Sequence, residues 1–127
     1  MQFELKATIS ASPQAIYDTW LDSEGHSNMT GAEASITSNP GDEFTAWDGY
    51  ISGKNVQLEP GKSIIQSWRT TEFEESDPDS TIEITLEPHV EGTLLTLHHS
   101  NLSEAGEQYI KGWEDYYFEP MKEYFGG

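Results

Sequence analysis

The residues whose type and spacing bear on chemistry are two histidines, one arginine and a set of large aromatic side chains. His98 and His99 end the run Thr93–His99, in which Leu95 and Leu97 alternate with polar residues. Strand alternation puts His99 on the face of the two leucines and His98 on the other. An inward histidine at a strand end can hydrogen-bond a ligand or act as an acid or base. It can equally be a core histidine satisfied by a backbone carbonyl. Arg69 is the single arginine. Trp68 and Ile64 share one face of their strand, so Arg69 belongs to the opposite one, either in a structural ion pair or holding an acidic ligand. Trp20, Phe44, Trp68, Tyr109, Trp113 and Tyr117 can all point between one sheet and one helix. They form either a packed core or the walls of a cavity. In the second case His99, the tyrosine hydroxyls and Asn55 would orient a guest.

Other motifs fail on their spacing. Gly61-Lys62-Ser63 has the ending of a phosphate-binding loop, but Val56 stands where the first glycine is required. Asp77-Pro78-Asp79 lacks the glycine and glutamate that complete a calcium loop. There is no Gly-x-Ser-x-Gly elbow. The chain has no cysteine, and the histidines show no second cluster for a metal. No catalytic residue, metal site or cofactor is therefore assigned. Twenty-three acids face six basic residues, for a net charge of −17. Such a surface repels nucleic acid and anionic lipid. No run of 18 apolar residues is present, and the first ten residues do not read as a signal peptide. The expectation is a cytoplasmic protein, with residues 1–127 as one domain.

The elements that must position these side chains follow from periodicity. Residues 2–10 alternate as a half-buried strand, and Ser12-Pro13 starts a short helix carrying Ile16 and Trp20. Residues 22–31 read as a second short helix or a turn. From Glu33 onward, short strands are separated by Asn39-Pro40-Gly41, Asp48-Gly49, Glu59-Pro60-Gly61, the acidic stretch 72–80 and Pro88–Gly92. Hairpin-linked strands with no crossover helix imply an antiparallel sheet. The last quarter, from about Ser103 to about Tyr124, reads as an amphipathic helix. On a wheel stepping 100° per residue, Leu102, Gly106, Tyr109, Ile110, Trp113, Tyr116, Tyr117, Pro120 and Tyr124 fall on one side. Ser103 is the expected N-cap. Gly112 costs about 1 kcal/mol relative to alanine, which suggests a close approach there. Gly106 suggests space between the walls. Pro120 is expected to kink the helix or start a separate last turn. Phe118 and Phe125 fall on the polar side, to be covered by neighbouring segments or to contact a partner.

Three stretches, residues 42–69, residues 92–102 and the ending Gly112-Trp113 through Tyr116-Tyr117-Phe118-Glu119, Lys122 and Phe125-Gly126, resemble the activator of heat-shock protein 90 ATPase homologue family. That family lies in the START-related SRPBCC superfamily, and the ending is similar to the C-terminal domain of the eukaryotic co-chaperone. The resemblance implies an α+β helix-grip fold, with a bent antiparallel sheet of six or seven strands around a long C-terminal helix and two short helices after the first strand. The family fold serves several functions, and two are expected here, with residues read above from their spacing. One is non-enzymatic binding of a small apolar or aromatic molecule between sheet and helix, by Trp20, Phe44, Trp68, His99, Tyr109, Trp113 and Tyr117. The other is a protein-interaction module of co-chaperone type, with Phe118 and Phe125 contacting a chaperone or a second copy.

Overall fold

The computed structural model describes residues 1–126; Gly127 lies outside them. The chain runs β1 (Phe3–Ile9), α1 (Pro13–Trp20), α2 (Ser23–Thr30), β2 (Glu43–Ala46), β3 (Ile51–Glu59), β4 (Ser63–Thr70), β5 (Ser80–His89) and β6 (Gly92–Ser100). A helical C-terminal segment follows from Glu104 to Gly126. The six strands form one antiparallel sheet in the order β1-β6-β5-β4-β3-β2. β1 returns to pair with β6, with Phe3 opposite His99 and Ile9 opposite Thr93. The other pairings join strands consecutive in sequence, as the turn residues require. The expected strand at Ala34–Ser38 shrinks to an isolated bridge between Ser35 and Thr45. Hydroxyls of α2 compete for its backbone: Ser23 Oγ accepts from Ile36 N at 2.9 Å, and Ser27 Oγ accepts from Ala34 N at 2.9 Å.

Local chemistry sets the helix starts. Ser12 Oγ accepts from Ala15 N at 3.1 Å, with Pro13 at the first helical position. Asp22 caps α2 through Gly25 N at 2.8 Å, and Gly31 ends it at φ +85°. Gly53 permits close strand packing, since a Cβ there would sit 1.9 Å from Ser67 O and 2.8 Å from the Phe44 ring.

The C-terminal segment departs from the single regular helix expected. It comprises a 3₁₀ turn (Glu104–Glu107), α3 (Gln108–Trp113), a π turn (Glu114–Phe118) and α4 (Glu119–Gly126). Ser103 precedes the first turn, but its side chain makes no capping bond. Pro120 falls in the first turn of α4, directly after the π turn, where a missing donor is least costly. The π turn holds one residue more than an α turn, so everything beyond it is rotated by about 100° relative to a regular wheel. This rotation brings Phe118 and Met121 into the core and turns Tyr124 outward. Phe118 is only 5% exposed, which corrects its expected place on the polar side and removes it as a surface contact. Phe125 is half-buried against the core, its ring edge-on to Tyr124 at 5.0 Å.

The buried apolar side chains join into one cluster between the sheet and the helices. Ile64, Ile82, Ile84, Leu86, Leu95 and Leu97 supply the sheet side, and Tyr109, Trp113, Tyr117, Phe118 and Met121 the helical side.

Candidate functional site

At one end of this interface the packing opens into a cleft of about 420 Å³. Its walls are aromatic: Trp47 and Tyr50 from the β2–β3 turn, Trp68 from β4, and Tyr109, Trp113, Tyr116 and Tyr117 from the helical segment. Ile51, Glu72, Gln108 and Gly112 complete the lining. The rings meet edge-on or tilted. Trp68 lies 5.0 Å from Tyr109 and 5.7 Å from Trp113, Trp113 lies 4.9 Å from Tyr117, and Trp47 lies 5.5 Å from Tyr116. Such contacts hold rings firmly without filling the space they enclose.

Gly112 explains the opening. A Cβ built there meets nothing within 4 Å, so the expected close approach is absent and the glycine leaves space instead. Gly106 does the reverse of what its sequence position suggested. A Cβ there would lie 2.9 Å from Leu102, so it is closely packed and encloses no cavity.

Trp47 is positioned by the turn. Trp47, Asp48 and Gly49 all have positive φ, at 53°, 58° and 90°. A tryptophan in the left-handed region is strained, and here it sets the indole against the π turn, 6.4 Å from the Tyr117 ring. The Trp47 indole N–H is buried and has no hydrogen-bond partner among the described residues. At the rim, the Tyr50 hydroxyl donates to Glu72 Oε2, and Tyr109 Oη and Thr70 Oγ1 share a hydrogen bond of 2.6 Å. Burial, followed by the bond to Glu72, holds the Tyr50 phenol above its ordinary pKa.

Behind the cleft, two polar chains satisfy buried groups. In the first, Trp113 Nε1 donates to His99 Nδ1 at 3.0 Å. His99 Nε2 is then the protonated nitrogen and donates to Ser80 Oγ at 2.9 Å, which donates to Trp68 O at 2.6 Å. Burial, and then the neighbouring His98 charge, push His99 down to about 3. His99 is thus a neutral core histidine with both nitrogens occupied, and it does not line the cleft. In the second chain, His26 Nδ1 donates to Trp20 O at 2.8 Å, and Tyr117 Oη donates to His26 Nε2 at 2.9 Å. Burial lowers the His26 pKa against the opposing pull of its carbonyl bond. Burial raises that of Tyr117, opposed by the nearby Trp47 N–H, which lies close without reaching hydrogen-bond geometry.

Of the seven cavity residues read from the sequence, Trp68, Tyr109, Trp113 and Tyr117 come together in the cleft. Trp20 lies behind them, 4.8 Å from Tyr117, with Nε1 donating to Gln66 Oε1 at 3.2 Å. Gln66 in turn donates to Asn55 Oδ1 at 2.8 Å, so Asn55 is structural and does not orient a guest. Phe44 is buried over Gly53, away from the cleft. Arg69 ties down the acidic loop through Asp79 at 2.7 Å and the carbonyls of Glu74 and Asp77. Sequence reasoning missed Trp47, Tyr50 and Glu72. Asp48-Gly49 was a usable signal for the first two, because residues flanking a tight turn are presented together. No three metal-ligating side chains gather among the described residues, and no helix there is long and apolar enough to cross a membrane.

Comparison with known proteins accords with this architecture. Residues 10–126 match the family described as Activator of Hsp90 ATPase homolog 1-like protein. The chain belongs to this AHSA1 family. Over 123 residues it is 31% identical to the human activator of 90 kDa heat shock protein ATPase homolog 1, covering 96% of this chain and 36% of that protein. It therefore spans about a third of that relative's length. An HSP90 activator from Plasmodium falciparum superposes with a TM-score of 0.88 at 20% identity, covering 99% of this chain and 96% of the other. The Aha1 dimer structure from Colwellia psychrerythraea gives 0.76 at 21% identity, with 91% and 90% covered. At these identities the structural matches establish the fold alone.

Proposed function

We propose that this AHSA1-family chain is a non-enzymatic binding module whose aromatic cleft holds a small, flat, apolar or aromatic molecule. The observation that carries the reading is Gly112. A glycine inside a helix costs about 1 kcal/mol, and here no packing contact requires it. What it does is keep open a cleft whose other walls are rings. A π turn begins two residues later, a feature frequent at functional sites. The one carboxylate of the lining, Glu72, accepts from the Tyr50 hydroxyl. Removing roughly 200 Å² of apolar guest surface from water gives about 5 kcal/mol, which corresponds to a Kd of roughly 0.2 mM before polar contacts are counted.

The test is a titration of two- and three-ring aromatic compounds followed by intrinsic tryptophan fluorescence, with Gly112→Leu beside the wild type. The leucine side chain is directed into the open space and should abolish binding without unfolding the helix. If no compound binds below about 5 mM, or if Gly112→Leu binds as the wild type does, the reading fails.

A second reading is favoured by the relatives' names: participation in Hsp90 binding, with Tyr116, Tyr124 and Phe125 as the accessible aromatic surface of the helix. Pull-down against an Hsp90 homologue, comparing wild type with Tyr116→Ser and Tyr124→Ser, would test it. Unchanged capture in both variants would exclude this surface.

A further inference from the structure

We infer that the guest of this cleft is a cation: an aromatic or alkyl ammonium whose positive charge lies at the rim, beside the Glu72 carboxylate that Tyr50 holds. This deepens the binding-module reading and rests on it. The argument begins with what lines the cleft. Of its eleven lining residues, seven are aromatic and Glu72 alone carries a charge. The ring faces of tryptophan and tyrosine carry negative potential and attract organic cations, tryptophan most strongly.

The carboxylate is held in place. Tyr50 Oη donates to Glu72 Oε2, and Glu72 N donates to Thr70 Oγ1 at 3.2 Å, so both the carboxylate and its backbone are tied to the cleft wall. The tyrosine contributes its ring to the same wall. Among the described residues, no basic side chain lines the cleft. Lys111 is paired with Asp115 at 3.2 Å, Lys122 with Glu119 at 3.8 Å, and Arg69 with Asp79 at 2.7 Å. Lys6, Lys54 and Lys62 do not line the cleft. An anionic guest would meet Glu72 at short range and a net charge of −17 beyond it. A neutral guest would use the apolar walls but gain nothing from the Glu72 carboxylate. A cation would use both the ring faces and the charge.

The experiment compares three compounds of one shape: N-methylquinolinium, neutral 1-methylnaphthalene and anionic 1-naphthoate. Equilibrium dialysis in 0.3 M sodium chloride shortens the screening length to below about 8 Å, so diffuse attraction to the acidic surface is suppressed. The expected order is N-methylquinolinium about tenfold tighter than 1-methylnaphthalene, with 1-naphthoate weakest. Glu72→Gln should lower the cation's affinity several-fold, leaving only the share of the preference that the ring faces supply, and leave the neutral compound unchanged; an unchanged preference in Glu72→Gln overturns the inference. Glu74→Gln makes the same charge change on the same loop, outside the cleft lining, and should leave the preference intact. Equal affinities for cation and neutral compound overturn the inference while leaving the cleft a binding site. Loss of preference in Glu74→Gln as large as in Glu72→Gln assigns the effect to diffuse charge and also overturns it. If none of the three binds, the binding-site reading fails, and the cation inference fails with it.

Discussion

Lowering the pH from 7.5 to 5 removes stability through His99, because its folded environment disfavours the protonated ring. In the folded chain the His99 ring is neutral, holding Trp113 Nε1–H on one nitrogen and Ser80 on the other. Its folded pKa is about 3, against an ordinary value of 6.5. When the chain unfolds between these two values the ring takes up a proton. The unfolded state therefore binds more protons, and stability falls as pH falls. The loss begins near pH 6.5, reaches about 2 kcal/mol at pH 5, and levels off near pH 3 at on the order of 5 kcal/mol. Other groups titrate over the same range, including His26 and the carboxylates, so the assay must isolate His99. Urea unfolding of wild type and His99→Gln at pH 7.5, 6.0 and 5.0 does so, because contributions common to both chains cancel in the difference. The variant should be less stable at pH 7.5, and the gap should shrink by about 2 kcal/mol by pH 5. Parallel stability curves from pH 7.5 to 5 would refute the neutral, doubly bonded assignment of His99.

Three further outcomes follow from particular contacts. Phe118→Ala should cost about 3–5 kcal/mol in urea unfolding, because the π turn buries the ring; a loss below 1 kcal/mol would place Phe118 on the surface. Gly112→Ala should raise the melting temperature by about 4 °C, since a methyl there meets nothing and the helix gains about 1 kcal/mol; a lower melting temperature would mean the space is not open. Sodium chloride should raise the melting temperature at neutral pH, because 23 acids face six basic residues and ions screen their repulsion over about 10 Å at 0.1 M; a flat or falling midpoint up to 0.5 M would contradict this.

Much of the fold was legible because its signals are local. Ser12-Pro13 starts α1, Asp48-Gly49 marks the turn between β2 and β3, and alternation through Leu95 and Leu97 puts His99 inside. The C-terminal segment was legible as an aromatic helix but not in its phase. A fixed 100° step cannot represent a π turn, so it leaves Phe118 and Met121 off the core face and turns Tyr124 inward, the reverse of their burial. The site was half legible for a related reason. Trp68, Tyr109, Trp113 and Tyr117 share faces of regular elements, and periodicity finds them. Trp47, Tyr50 and Glu72 reach the cleft from turns, where side-chain direction depends on positive φ values and loop contacts that no period describes. His26 sits in a stretch that reads only as a short helix or a turn, yet it is buried by partners 6 and 91 residues away. Glycine was ambiguous in principle: Gly106 yields to a neighbour and Gly112 leaves a gap, and only the packing distinguishes them.

The central claim is that the space beside Gly112 receives a guest, and the indole N–H signals of the four tryptophans test it most directly. Trp47, Trp68 and Trp113 line the cleft, whereas Trp20 lies behind it with its N–H held by Gln66. In a proton–nitrogen correlation spectrum titrated with a two-ring aromatic compound, Trp47 should move most, because its N–H has no partner. Trp68 and Trp113 should move with the same Kd, Trp20 should move least, and Gly112→Leu should remove every shift. Four indole signals that stay fixed up to millimolar compound, or a response as large in Trp20 as in Trp47, would contradict the account.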